Sequence, residues 1–187
     1  IENIILIPVY NDWKSLNHLL LEINKNLSSN QITKILIMDD HSSQKIKIDK
    51  TRLKKIKEIK VLSLNRNLGS QKAIAVGLDY LKNLNKSFFI TIMDADGEDD
   101  PNEISKMILL AKKNVEYVVT SNRKQRNENL LIQICYKIHL IICFMLTWNW
   151  ISFGNFSCFH SRNLNKIKLN EVWCAFPSAI LNNRNIK

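Results

Sequence analysis

Five carboxylates crowd one short stretch of this sequence, Met93-Asp94-Ala95-Asp96-Gly97-Glu98-Asp99-Asp100-Pro101. Carboxylates this close repel one another unless a positive charge sits among them. A hard divalent cation supplies that charge, taking carboxylate and phosphate oxygens as ligands. Asp99 and Asp100 have a simpler explanation. They read as the start of a helix, with Asp100 as N-cap and Pro101 as first helical residue, where the helix dipole favours acids. Asp94 and Asp96 directly follow the apolar run Ile90-Thr91-Ile92-Met93 and lack that explanation. If the extended backbone continues as far as Asp96, both acids point the same way. They are the first candidates for metal or ligand contact, with Glu98 beside them.

The elements that must hold this cluster alternate between strand and helix. Ile4 to Val9 is an apolar run of the kind buried on both faces of a sheet. A helix follows, capped by Asn11 or Asp12, with Leu16, Leu19, Leu20 and Ile23 at helical spacing. Ile35 to Met38 reads as a second strand, Leu53 to Ile59 as a short basic helical stretch, and Val61 to Leu64 as a third strand. Gln71 to Leu84 reads as a helix with Ala73, Ala75 and Gly77 on a small face. Phe88 to Met93 is the fourth strand and Val115 to Thr120 the fifth. Such alternation implies a mostly parallel sheet with right-handed crossovers. Ligands of such sheets bind outside the carboxyl ends of the strands. Polar clusters fall there after every strand: Pro8-Val9-Tyr10-Asn11, Asp39-Asp40-His41-Ser42-Ser43, Asn65-Arg66-Asn67-Leu68-Gly69-Ser70, the acidic stretch, and Ser121-Asn122-Arg123-Lys124-Gln125-Arg126. Asn67 to Ser70 lacks the glycine spacing and the lysine of a phosphate loop. Gly69 is better read as a tight turn into the next helix.

The 187 residues suit one domain with its own core. Apolar residues make up 45% and charged ones 24%, which excludes a disordered chain. The net charge is +10, from 27 Lys+Arg against 17 Asp+Glu. Two explanations stand: attraction to phosphate, above all at an anionic membrane surface, or a drift of composition towards Lys, Asn and Ile. Clustered arginines with interleaved aromatics are missing, so no nucleic-acid partner is expected. Cys135, Cys143, Cys158 and Cys174 form no CxxC pair and, like the four histidines, no zinc-ligand spacing, so they read as buried free thiols. No signal peptide is visible. A start at Ile1 within a strand suggests a piece of a longer chain.

The stretches IPVYN (7–11), MDDHSS (38–43), NRNLGSQKAIAVGLDY (65–80), MDADGEDDP (93–101) and SNRKQRNE (121–128), in this order, resemble the inverting family 2 glycosyltransferases. Within that family the chain is most similar to the dolichol-phosphate mannosyltransferase and bacterial polyprenyl-phosphate glycosyltransferase branch. The resemblance implies a GT-A fold, a three-layer α/β/α domain with a mostly parallel sheet. It implies one catalytic domain over 1–187, with 1–128 binding a nucleotide sugar and 129–187 on the acceptor side. Pro8, Tyr10 and Asn11 would line the nucleotide pocket, and Asp40 would meet the base or ribose. Asp94 would hold the nucleotide or sugar side, and Asp96, with Glu98 adjacent, the magnesium or manganese ion on the diphosphate. Arg66 is a further candidate facing the cleft. The implied donor is a UDP- or GDP-sugar and the implied acceptor a polyprenyl phosphate. That acceptor is already an anion and needs cations more than a base; Arg123 and Arg126 suit it through their planar forks. An acceptor hydroxyl of a glycan would instead need a base, and Asp99 or Asp100 would be the first candidates. A non-catalytic nucleotide-binding or membrane-scaffold module with the same fold is the remaining alternative. Two departures stand out. Glu98 occupies a position where that branch commonly has Gln, and His41 one where the family often has Gly.

Leu130 to Trp150 is apolar and long enough to span a bilayer. Lys137 near its middle would cost about 3 kcal/mol on insertion. A helix lying in the membrane interface with Trp148 and Trp150 at headgroup level fits better. Packing on the domain, or on another copy of the chain, is the competing reading; the oligomeric state stays open. The enzyme is accordingly expected at the cytoplasmic face of the membrane. Phe153 to Phe159 reads as a further strand with a bulge or turn at Gly154, and Asn155, where several relatives have an acid, is an acceptor-side candidate.

Overall fold

A computed structural model describes residues 2–28, 32–121, 154–172 and 176–181, together with positions 138, 142 and 145. The strands are β1 (Glu2–Val9), β2 (Ile32–Asp39), β3 (Ile56–Ser63), β4 (Phe89–Ile92), β5 (Val118–Thr120) and β6 (Ser157–His160). They form one sheet in the order β3-β2-β1-β4-β6-β5. The β3-β2-β1-β4 run is parallel. β6 lies antiparallel between β4 and β5, so a segment late in the sequence completes the sheet beside the acidic stretch.

The period of two along β1 divides the core. Ile5, Ile7 and Val9 face one side, where they pack with Leu16, Leu20 and Ile23 of helix α1 (Trp13–Asn26) and Ile104 and Met107 of α3 (Glu103–Lys113). Ile4 and Leu6 face the other side, against Ile74 and Leu78 of α2 (Ser70–Lys82) and the short helices α4 (Leu169–Val172) and α5 (Phe176–Leu181). The result is the expected three-layer α/β/α arrangement with a mostly parallel sheet. Gly77 is where α2 comes closest to the sheet: a Cβ there would lie 2.6 Å from Leu6 Cδ1 and 3.0 Å from Met38 Cγ.

Several element boundaries differ from the sequence expectation. The basic stretch from Leu53 to Ile59 is not helical; Ile56 opens β3. This is an edge strand, and its Lys57, Glu58 and Lys60 are the charges that edges carry against unwanted pairing. α3 starts at Glu103, not at Pro101. Asp100 is no N-cap: its carboxylate accepts from Asn102 N–H at 3.0 Å and closes a tight turn ahead of the helix. β5 begins at Val118 and β6 at Ser157, beyond Gly154. Most of the apolar segment 130–150, like Arg123, Arg126, Phe153 and the cysteines at 135, 143 and 174, lies outside the described residues; Cys158 is a buried free thiol.

Candidate active site

The parallel strands end at Val9, Asp39, Ser63 and Ile92 on one edge of the sheet, the first three level with one another and Ile92 level with Leu6, so their following loops share that edge. The antiparallel β6 begins there, because Ser157 pairs with Ile92. That brings Asn155 to the acidic loop.

Two loops are locked to each other at the β1 and β2 ends. Asn11 takes a left-handed backbone conformation, φ 53°, which asparagine tolerates better than most residues. Its Oδ1 accepts from Ser43 N–H at 2.9 Å, Ser43 Oγ at 3.1 Å and Gln44 N–H at 3.2 Å, while its own N–H donates to Ser42 Oγ at 2.8 Å. Pro8 is buried in β1 and Tyr10 is exposed at the rim. Asp12, not Asn11, caps α1, accepting from Ser15 N–H at 3.0 Å.

The acid pair ending β2 divides its work. Asp39 accepts from Ser42 N–H and Ser63 Oγ, both at 2.9 Å. Asp40, only 2% exposed, accepts from Leu68 N–H at 2.7 Å and Gly69 N–H at 2.8 Å. It therefore faces the 64–69 loop and fixes its path into α2. Gly69 has φ 86°, as the tight-turn reading requires. His41, at the position expected of a glycine, keeps the left-handed conformation, φ 64°, and its Nδ1 lies 3.2 Å from Leu64 O. Arg66 is exposed on this same loop.

The acidic loop does not continue the strand. β4 stops at Ile92, residues 95–96 form a turn, and Gly97 has φ 80°, so Asp94 and Asp96 are not aligned by strand alternation. Asp94 is half-buried: Asn155 Nδ2 donates to its Oδ1 at 3.0 Å and its Oδ2 at 3.1 Å. Asp99, expected as a possible base, is 5% exposed, and its Oδ2 accepts from Asp94 N–H at 3.0 Å. Asp96 is exposed at the loop tip and its Oδ1 accepts from Glu98 N–H at 3.0 Å. Among the described residues no group of three or more His, Cys, Asp or Glu side chains is arranged to hold a metal ion. Asp96 and Glu98 are hard oxygen donors of the type magnesium and manganese take, but the rest of the coordination shell would have to come from a ligand and water. Gln71, which has no local sequence signal of a site role, reaches this site too: its Nε2 donates to Asn155 Oδ1 at 3.0 Å.

Residues 4–183 match the family described as Glycosyl transferase family 2. An uncharacterised glycosyltransferase of Synechocystis sp. is 27% identical over 177 residues, covering 90% of this chain and 53% of that protein. The undecaprenyl-phosphate 4-deoxy-4-formamido-L-arabinose transferase of Photorhabdus laumondii is 33% identical over 140 residues, covering 72% of this chain and 41% of that one. The chain thus spans about half, or less, of the length of these relatives. Among solved structures, S. aureus TarS superposes with a TM-score of 0.59 at 17% identity, over 97% of this chain and 56% of that one. TarS in complex with UDP-GlcNAc gives 0.55 at 18% identity, over 88% and 47%. At such identities the structural likeness speaks for the fold, which is GT-A. With the family match over nearly its whole length, this chain belongs to glycosyl transferase family 2.

Proposed function

We propose that this chain is the catalytic domain that moves a sugar from a UDP- or GDP-sugar to a polyprenyl phosphate, with inversion at the anomeric carbon. One observation carries the reading: in a family 2 chain, the loops bearing Asn11, Asp40, Arg66 and the Asp94–Asp96 pair all leave one edge of the sheet. Support for the donor comes from the TarS structure with UDP-GlcNAc, and for the acceptor from relatives named for undecaprenyl phosphate.

In this reading residues 1–128 bind the donor and residues 129–187 serve the acceptor, apart from Asn155, which reaches back to Asp94 on the donor side. Pro8, Tyr10 and Asn11 border the nucleotide, with Tyr10 offering an exposed aromatic face. Asp40 acts at the ribose end by holding the 65–69 loop in place, with Arg66 on that loop near the phosphates. Asp94 fixes the sugar side of the donor. Asp96 and Glu98 would hold a magnesium or manganese ion. When bound, that ion supplies Lewis-acid neutralisation of the departing diphosphate. Attack from the face opposite the leaving group inverts the sugar. A phosphate acceptor is anionic at neutral pH and calls for no strong base. Arg123 and Arg126, outside the described residues, are assigned to that phosphate.

The acceptor places the enzyme at the cytoplasmic face of a membrane, held peripherally or by segments outside this chain. Ile138, Ile142 and Met145, at helical i, i+4, i+7 spacing, are 51%, 49% and 70% exposed. This apolar stripe on a chain of net charge +10 suits an anionic lipid surface. No helix among the described residues is long and apolar enough to cross a membrane. Labelled UDP- and GDP-sugars incubated with undecaprenyl phosphate test the proposal by organic-phase partition. Label in the organic phase is expected. Label transferred only to soluble glycans would establish a hydroxyl acceptor instead.

A further inference from the structure

The Asp94 carboxylate sits at the end of a directional chain of hydrogen bonds through three other segments. The backbone N–H of Phe176, at the start of α5, donates to Gln71 Oε1 at 2.9 Å. Gln71 Nε2, in the first turn of α2, donates to Asn155 Oδ1 at 3.0 Å. Asn155 Nδ2, ahead of β6, donates to both Asp94 oxygens. A side-chain amide can be flipped, so its orientation follows from its partners. Here both ends are unambiguous. A backbone N–H only donates and a carboxylate only accepts, so each amide between them has one workable orientation. Asn155 is 7% exposed and Phe176 is fully buried. A reversed amide would leave facing donors or facing oxygens in a site with little water to rescue them.

We propose that Asn155 and Gln71 are positioning residues that aim the Asp94 carboxylate at the donor, with the Phe176 amide setting the direction of the relay. The inference rests on the donor-site reading above and extends the site into α2 and α5. A carboxylate on a loop is free to swing about its side-chain torsions; two bonds from one buried amide hold the head of this one in place. The donor edge is thereby tied to the C-terminal helices, which a site drawn from the strand-end loops alone would omit.

Calorimetric titration of the whole chain with UDP, GDP and UDP-GlcNAc, each with manganese, tests this. Asn155→Ala and Gln71→Ala should each weaken the best-bound of these ligands by about tenfold. The double variant should be within about twofold of Asn155→Ala, because links in series fail together. Gln71→Glu discriminates positioning from scaffolding. It still accepts from Phe176 N–H but presents an oxygen to Asn155 Oδ1, so it should bind as poorly as Gln71→Ala while still unfolding in one cooperative transition, at a lower temperature than the wild type. Wild-type binding by Gln71→Glu, or losses that multiply in the double variant, would overturn the proposal and leave the donor site standing. A wild-type chain that binds none of the three ligands would remove the donor-site reading and this relay with it.

Discussion

Asp40 grips Gly69 and Leu68 by their backbone: its two carboxylate oxygens accept the two successive N–H groups at 2.8 and 2.7 Å. Removing the carboxylate takes the partner from both amides, Leu68 being half-buried and Gly69 exposed. Asp40→Ala should lower stability by about 2–4 kcal/mol, from the loss of two charge-assisted bonds. Asp12→Ala, which loses one exposed capping bond to Ser15, should cost about 1 kcal/mol. Urea denaturation of the two variants checks the contrast.

Asn11 has a strained backbone and a bonding side chain at once, and two substitutions separate them. Asn11→Gly relieves the φ of 53° but loses the three bonds accepted by Oδ1. Asn11→Ala loses the bonds and keeps the strain, so it should be less stable than Asn11→Gly by about 1 kcal/mol. Equal stabilities would show that the loop shifts to another conformation.

Gly77→Ala is favourable by helix propensity, by about 1 kcal/mol. Packing decides otherwise, because the new methyl meets Leu6 Cδ1 at 2.6 Å. Overpacking of this kind costs about 1–3 kcal/mol. The net expectation is a lower chemical-denaturation midpoint with nucleotide affinity unchanged.

Burial in the sheet pushes the Cys158 thiol up from 9.0 to about 12. A raised pKa means that the folded state keeps a proton the unfolded state has released. Stability from this group is therefore complete below pH 9.0 and is lost between there and about 12. Cys158→Ser should flatten that alkaline decline. In the native protein at pH 8 this thiol should resist thiol-disulfide reagents until the chain unfolds.

Much of this arrangement was legible because parallel sheets impose it. A strand buried on both faces must be apolar throughout, as Ile4 to Val9 is, and the polar residues then collect at the strand ends. That logic placed Asn11, Asp40, Asp94 and Asp96 at one edge of a mostly parallel sheet; the three-layer arrangement came from the family resemblance. It failed at β3, where the isoleucines and charges of Ile56–Ser63 fit either a basic helix or an edge strand. Only pairing with β2 decides between them. The start of α3 was misplaced because Asp100 spends its carboxylate on a turn, as an asparagine or aspartate does equally well. Gln71 was invisible: nothing local links a glutamine to an asparagine 84 positions away. The insertion of β6 between β4 and β5, which makes that contact possible, is a tertiary fact without a local signal.

A metal-dependent donor site at the acidic loop would tie the stability of the chain to two ligands at once, the nucleotide and the ion. The most direct test is the melting temperature with UDP, GDP and their sugar conjugates, each with and without manganese, for the wild type and Asp96→Asn. Asp96 is exposed, so the substitution should leave the ligand-free melting temperature unchanged. A ligand at about 100 times its dissociation constant adds roughly 2.7 kcal/mol to stability. A rise that needs both manganese and one particular base, and that vanishes in Asp96→Asn, is expected. A rise that persists without metal, or that survives in Asp96→Asn, would rule out a metal-dependent site at this loop.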